Sequence, residues 1–457
     1  MRHFVKRAWP QIIPQPLKYN WHIDAVCDHF EAVANGEITR LLINIPPGTS
    51  KSTLAGVMFP AWLWGAKGRP DYRYIGAAHE QNLAVRDSRM MRELVRSEWY
   101  QKLWPLKLMG DQNEKLYFEN EHRGFRQACA VASMTGRRGD CIVWDDPLSP
   151  EKATSEISRE TALRVFKETL PTRLNDPIKS SIIVIMQRLH EGDPSGYILA
   201  NDLGYEHLLI PMEFEPSHTK TTSIGWSDPR KMKGELLDPV RFPAEVIERD
   251  KKAMGSYAWA GQMQQTPTPL SGGVWKMDWF LRHDIIPSNV TTCVHSWDTA
   301  YKKDEHNDPS SCLVMRIGNN AAFVQDVVNK RMEYPELKRA IISLAARDNP
   351  SVILIEDKAS GQSLIQELRA ETALPIIAVK AEADKLTRAV SASATIEAGR
   401  ISLPNASEWL YDYENQLVSF PNGKHDDMVD STSQFINWWR TQAYGLWNEQ
   451  IKGIFNL

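Results

Sequence analysis

The sequence has little cysteine and no order in it. Cys27, Cys129, Cys141, Cys293 and Cys312 are its five cysteines in 457 residues. They form neither a CxxC pair nor a regular spacing, which argues against a structural zinc site or a disulfide framework and for reduced thiols in a cytoplasmic setting. Long hydrophobic runs are missing too. The longest, around "VMFPAWLWGA", is about half of what a bilayer-crossing helix needs. The N-terminal "MRHFVKRAWPQ" is basic with no apolar stretch behind it, so neither secretion nor membrane insertion is expected. Internal repeats, low-complexity segments and an excess of one charge are absent as well, the net charge being -3. A nucleic-acid partner would therefore have to be met by a local basic lining.

What is present is an ordinary globular composition, 42% hydrophobic and 24% charged, in a chain longer than one hydrophobic core usually grows. Two α/β domains are the natural expectation. In the first half, "RLLINI", "YRYIGAA", "CIVWDD", "SIIVIMQ" and "EHLLIPM" are short apolar runs separated by helical patterns such as "EQNLAVRDSRMMRELVRS", which predicts a parallel sheet covered on both faces. From residue 214 to 290 the text turns rich in Pro, Ser, Thr and Lys and reads as a connecting subdomain. A second set follows over 291–440: three strands able to form a meander ("CVHSWDTA", "SSCLVMRIG", "AAFVQDVV"), a helix, and the strand "SVILIED". This describes a mixed sheet. Residues 441–457 are expected as a tail.

Two groups of residues carry chemistry. "INIPPGTSKSTL" places Lys51 and Ser52 just after a strand, where a phosphate loop puts the lysine that neutralises phosphate oxygens and the hydroxyl that holds Mg²⁺. Gly48, Thr49, Ser50 and Thr53 complete the candidate loop. The full pattern would have glycine at 45 and 50, where this chain has Ile45 and Ser50, so an ordinary strand-turn-helix remains the other reading of this stretch alone. "CIVWDDP" ends a second strand in Asp145 and Asp146, where ligands collect in open parallel sheets. "TGRRGD" before it offers Arg137 and Arg138 to a γ-phosphate in their own or a neighbouring subunit, or is a solvated basic turn. Gln187, Arg188 and His190 end a further strand as candidate sensors of the γ-phosphate, and Trp21 and His22 are candidate adenine contacts.

The second group is acidic. Asp298 lies in an otherwise apolar strand, Glu356 and Asp357 end another, and Asp426, Asp427 and Asp430 open the last helix. Two divalent ions about 4 Å apart need several carboxylates converging in this way to cut a phosphodiester. Singly, each acid is as well explained by an ion pair or by a helix N-terminus that favours negative charge. The order strand Asp, strand-end Glu, helical Asp pair matches ribonuclease H-like nucleases.

With these segments in place the sequence resembles the large subunit of tailed-phage terminases. The resemblance rests on "INIPPGTSKST", "CIVWDDP", "MQRLHEGD", "QMQQTPTPLSGGVWKMDWF", "SWDTAYK", "IEDKASGQSLIQEL", "DKLTRAV" and "HDDMVDS". It implies a P-loop (ASCE-type) parallel-sheet ATPase domain over 1–213 and a ribonuclease H-like mixed-sheet nuclease domain. ATP and Mg²⁺ are the implied cofactors, with Mn²⁺ as an alternative in the nuclease. Lys51 and Ser52 would bind phosphate and Mg²⁺, Asp145 would be the acid associated with the metal, and Asp146 would stand where many motor ATPases put a catalytic Glu. Asp298, Glu356 and Asp427 would hold the nuclease metals with Asp426 and Asp430 beside them. The implied partners are double-stranded DNA, the portal protein of the procapsid and the small terminase subunit. The chain would be a monomer in solution and a homo-oligomeric ring on the portal, in the host cytoplasm and transiently on the procapsid, and not part of the mature virion. The residues by themselves leave two rivals: a helicase-type ATPase fused to a resolvase-like nuclease, and a degenerate ATPase kept as a structural DNA-binding module.

Overall fold

The apolar runs become strands wherever a sheet can cover them on both sides. The computed structural model describes residues 1–130, 136, 138–218, 220–267, 273–290, 292–300, 309–318, 320–380, 383–423 and 425–455. The chain divides into two compact units, Met1–Lys251 with Tyr257–Pro269, and Lys252–Ser256 with Leu270–Leu457. The first holds β1 (Arg40–Asn44), β2 (Tyr74–Ala78), β3 (Leu108–Asn113), β4 (Tyr117–Asn120), β5 (Phe125–Ala130), β6 (Cys141–Asp145), β7 (Ser181–Met186) and β8 (Glu206–Leu209). Among the described residues they lie in the order β3-β4-β5-β2-β6-β7-β1-β8. The run from β5 to β8 is parallel, and β3 and β4 add an antiparallel edge. Leu41, Leu42, Ile43, Ile142, Ile183 and Val184 are buried, as expected for strands with both faces covered.

The second unit holds β9 (Leu281–His283), β10 (Thr292–Asp298), β11 (Ser310–Ile317), β12 (Ala322–Lys330), β13 (Val352–Glu356), β14 (Ile376–Val379) and β15 (Ile401–Pro404), ordered β14-β13-β10-β11-β12-β15-β9. The expected meander is β10, β11 and β12. The helix Tyr334–Asp348 then carries the chain back, so that β13 pairs parallel with β10. One face packs Val294, Leu313 and Met315 on Ala389, Ala392, Val429 and Phe435. The other packs Trp297, Ile353 and Ile355 on Leu337, Ile341 and Leu368.

Two expected boundaries move. Most of 214–290 is not a separate linker: up to Pro269, apart from Lys252–Ser256, it belongs to the first unit. Backbone pairing explains this, since Phe214 N–H donates to Glu235 O (2.9 Å) and Leu237 N–H to Met212 O (2.8 Å). The buried Arg230 guanidinium also donates to Pro211 O and Met212 O (3.0 and 3.1 Å). Nor is the expected tail 441–457 separate as far as it is described, because the helix Asp427–Phe455 includes it up to residue 455. The five cysteines are unpaired and buried. Among the described residues no helix is long and apolar enough to cross a membrane.

Candidate functional sites

In the first unit the loop after β1 turns through Gly48 (φ +77°) and Ser50 (φ +68°) before the helix starts at Lys51. Gly48 is favoured twice over, by its left-handed backbone and because a Cβ there would stand a tight 3.3 Å from the Phe242 ring. Ser50 adopts the left-handed conformation in which the phosphate-loop pattern has glycine, so the loop keeps its backbone shape without that residue. The buried Thr49 hydroxyl donates to Pro46 O (2.8 Å) and tightens the turn from within.

A cavity of about 700 Å³ opens over this helix start, lined by Gly48, Ser50, Lys51, Ser52, Thr53, Asp146 and Gln187, and by Trp9, Lys18 and Arg241 from elsewhere in the unit. Three cations against one carboxylate suit an anionic ligand. Lys51 Nζ is 2.8 Å from Asp146 Oδ2. Asp146 has a positive φ of 39°, held by its N–H on Ile185 O (2.9 Å) and by His79 Nδ1 against its carbonyl (2.8 Å). Gln187 N–H donates to Asp146 Oδ1 (3.3 Å). Asp145 stands differently. Its Oδ1 is buried without a hydrogen-bond partner. Burial first, then the charge of Asp146, raise its pKa to about 7 against the pull of Lys51 and the Ser52 hydroxyl. A buried orphan oxygen beside a phosphate-loop hydroxyl fits an acid that serves Mg²⁺.

Other expected nucleotide residues lie elsewhere. Arg138 is exposed beside Gly139, which bridges to Leu174 at the start of β6. Asp145 is at the far end of that strand, roughly 20 Å of extended chain away, so Arg138 does not reach the cavity of its own chain. Arg137 lies outside the described residues. Trp21 and His22 are not among the cavity's lining: Trp21 stacks on Trp226 (6.2 Å), and buried His22, its pKa lowered to about 4 by burial, sits against the Thr49 backbone. Arg188 pairs with Asp193 (3.2 Å) and His190 Nδ1 accepts from Gly192 N–H (3.0 Å), so both shape the turn after β7. Like Lys18, Arg241 is a cavity cation that the sequence reading missed. Asp238 Oδ1 holds its segment by accepting from Val240 N–H (3.2 Å) and Arg241 N–H (3.1 Å). The only signal was an arginine inside "DPVRFP".

In the second unit Asp298 ends β10 and Glu356 ends the neighbouring parallel strand β13, whose Ile355 is in register with Trp297. The helix Asp427–Phe455 is pinned over these strand ends. Ser296 Oγ donates to Ser431 O (2.8 Å), Gln434 Nε2 to Ser296 Oγ and Trp297 O (3.0 and 3.2 Å), and Met428 N–H to Gln416 Oε1 (2.6 Å). Asp427 and Asp430 are thereby buried beside Asp298 and Glu356. Burial first, then the charges of Asp430 and Glu356, raise the Asp298 pKa to about 7. Burial likewise raises that of Asp430 against the pull of Arg388 and Lys385. Asp357 continues the pairing of β13 with β14 through its N–H to Val379 O (2.7 Å).

These acids are held by cations. Arg388 bridges Glu356 Oε1 and Asp430 Oδ1 (2.8 Å each), Lys385 bridges Asp426 Oδ1 and Asp430 Oδ2 (2.6 and 2.8 Å), and Lys358 takes Glu356 Oε2 (2.9 Å). Among the described residues no three carboxylate, imidazole or thiolate groups converge to hold one metal ion. The donor types suit a hard divalent cation, and several of their oxygens are turned onto Lys and Arg.

The fold and the two strand-end sites define a class: a phosphate-loop-type parallel-sheet unit followed by a ribonuclease H-like mixed-sheet unit. Residues 295–438 match the family described as terminase RNaseH-like domain. Among solved structures, the chain is similar to the large terminase from a thermophilic bacteriophage (crystal form 2), with TM-score 0.54, 11% identity, and coverage of 89% of this chain and 97% of that one. The same terminase in complex with ADP gives TM-score 0.53 at 11% identity, with 89% and 98% covered. No curated protein matches. Residues 295–438 of the second unit are thus similar to the terminase RNaseH-like domain family, and the chain shares the fold of a phage large terminase.

Proposed function

We propose that this chain is the motor subunit that hydrolyses ATP to drive double-stranded DNA into a procapsid, and that its second unit cuts concatemeric DNA with a two-metal endonuclease. The observation that carries the reading is the pairing of two unlike strand-end sites in one chain: a cationic cavity over Lys51 and Ser52, and an acidic cluster inside a terminase RNaseH-like domain. The thermophilic-phage large terminase, whose fold the chain shares, was solved with ADP, which supports nucleotide as the ligand of the first.

Lys51 would exchange Asp146 for nucleotide phosphate, the backbone of Gly48 to Ser50 would cradle it, and Ser52 with Asp145 would hold Mg²⁺. Freed from Lys51, Asp146 can orient the attacking water, and Gln187, already tied to Asp146 through its N–H, can respond to the γ-phosphate. In the second unit Asp298, Glu356 and Asp427, with Asp426 and Asp430 adjoining, would hold Mg²⁺ or Mn²⁺. The metal would supply Lewis acidity and an activated water. The portal protein, the small terminase subunit, ring assembly on the portal and action in the host cytoplasm belong to the same proposal.

Separate loss of the two activities tests it. Lys51→Ala is expected to lower ATP turnover by at least about 100-fold and to spare Mn²⁺-dependent plasmid cleavage. Asp298→Ala is expected to do the reverse. ATP turnover that survives Lys51→Ala, or cleavage that persists in EDTA, would sink the corresponding half.

A further inference from the structure

The cations on the acidic cluster are too well placed to be ordinary surface pairs. Lys385 and Arg388 are three apart on the helix Lys385–Glu397 and so share a face. Arg388 is 12% exposed, with both of its partners at 6% or less. Its fork joins an acid at a strand end to an acid on the last helix, a bidentate geometry that lysine cannot copy. The helix carrying them is fixed: Asp384 Oδ1 accepts from Thr387 N–H (2.9 Å), Asn437 Nδ2 donates to Arg388 O (3.0 Å) and Trp275 Nε1 to Ala389 O (3.0 Å). What can move is the two side chains.

With Lys358, they take all four oxygens of Glu356 and Asp430. A divalent ion on the same carboxylates would face, within a few ångströms, a largely buried guanidinium, where like charges repel strongly, and a half-exposed ammonium that solvent screens in part. Asp298, by contrast, has no ion pair among the described residues.

We propose that Arg388 and Lys385 are built-in counter-ions of the nuclease centre: without metal they hold Glu356, Asp426 and Asp430, and a divalent cation binds the cluster only by displacing them. The inference rests on the nuclease reading above. Whatever these pairs contribute to the metal-free state is subtracted from metal affinity, so the centre stays closed until the divalent ion, or DNA phosphate drawing the two side chains away, offsets that difference.

The test is Mn²⁺ binding to the full chain without nucleotide at neutral pH, by calorimetry and electron paramagnetic resonance. Arg388→Gln is expected to bind Mn²⁺ roughly tenfold more tightly than wild type. Its metal-free melting temperature should be lower, and its metal-induced rise in melting temperature larger. Arg388→Lys, which keeps the charge and loses the fork, should fall between. Lys385→Gln should also tighten binding and keeps the test open if Arg388→Gln does not fold. If Asp298→Asn weakens Mn²⁺ binding while neither Gln variant tightens it, the counter-ion inference is overturned and the nuclease centre stands. Mn²⁺ binding unchanged in Asp298→Asn overturns both.

Discussion

Asp145 and Asp298 occupy the same place in two different sheets. Each ends a strand, each is pushed up to about 7 by burial and then by neighbouring acids, and each has a nearby acid held by a cation, Asp146 by Lys51 and Glu356 by Arg388. The difference lies in where the cation comes from. Lys51 is part of the loop that meets the ligand, so an incoming phosphate draws it off by attraction. Arg388 and Lys385 come from a helix with no other place in the site, so an incoming metal has to compete with them. The first site is opened by an anion and the second by a cation, although both keep one strand-end acid in reserve.

Neutralising the reserved acids tests that parallel with the largest effects. Asp145→Asn is expected to lower ATP turnover by at least about 100-fold, and Asp298→Asn to lower cleavage as much. Both should raise ligand-free stability at neutral pH. An acid whose pKa is raised on folding costs nothing below its unfolded value near 4 and progressively more as pH climbs to about 7. Each Asn variant should therefore gain on the order of 1 kcal/mol at neutral pH and lose part of the fall in stability between about pH 4 and 7. Chemical denaturation across that range measures it. A variant that loses stability at neutral pH would mean its acid is held by something other than a reserved charge, and the two sites would no longer be alike.

Arg241 sharpens the contrast from the first site alone. It brings a third cation to the cavity from a segment far along the chain, so Arg241→Ala is expected to raise KM for ATP about tenfold with kcat less affected and plasmid cleavage unchanged. A loss of cleavage in this variant would mean that the segment serves more than the nucleotide.

How much of this was legible follows from what a linear pattern can carry. Five of the six parallel strands of the first unit, β1, β2, β6, β7 and β8, and the four longest of the second announce themselves as apolar runs, whereas β5 does not. The edge strands β3 and β4, with "LMGDQN" and "YFEN", do not, because a half-covered strand need not be apolar. Asp145, Asp298 and Glu356 stood out because a charge at the end of a buried strand needs a reason, and Lys51 because of its place in a phosphate-loop pattern. Arg241, Lys385 and Arg388 did not, since a basic residue in a Pro-rich stretch or on an amphipathic helix is ordinary until its partner is known. Arg138 is excluded from the cavity of its own chain, though not from that of a neighbouring subunit, for a geometric reason: a residue just before a strand is near its end in sequence and a strand's length away in space. Trp21 misled because an aromatic at a helix start serves packing as readily as a ligand.

Ser50 is the smallest test and bears on how each site is held. The second site is fixed by side-chain charge, whereas the loop of the first is fixed by backbone shape, with Gly48 and Ser50 both left-handed. If shape is what matters, Ser50→Gly relieves a conformation that costs a non-glycine residue about 1 kcal/mol, against a similar loss from the greater freedom of unfolded glycine. Net stability should then change by less than about 0.5 kcal/mol, and ATP turnover by less than about twofold. A collapse of turnover would show that the Ser50 side chain itself contacts the nucleotide. The first site, like the second, would then depend on side-chain chemistry that the backbone alone does not supply.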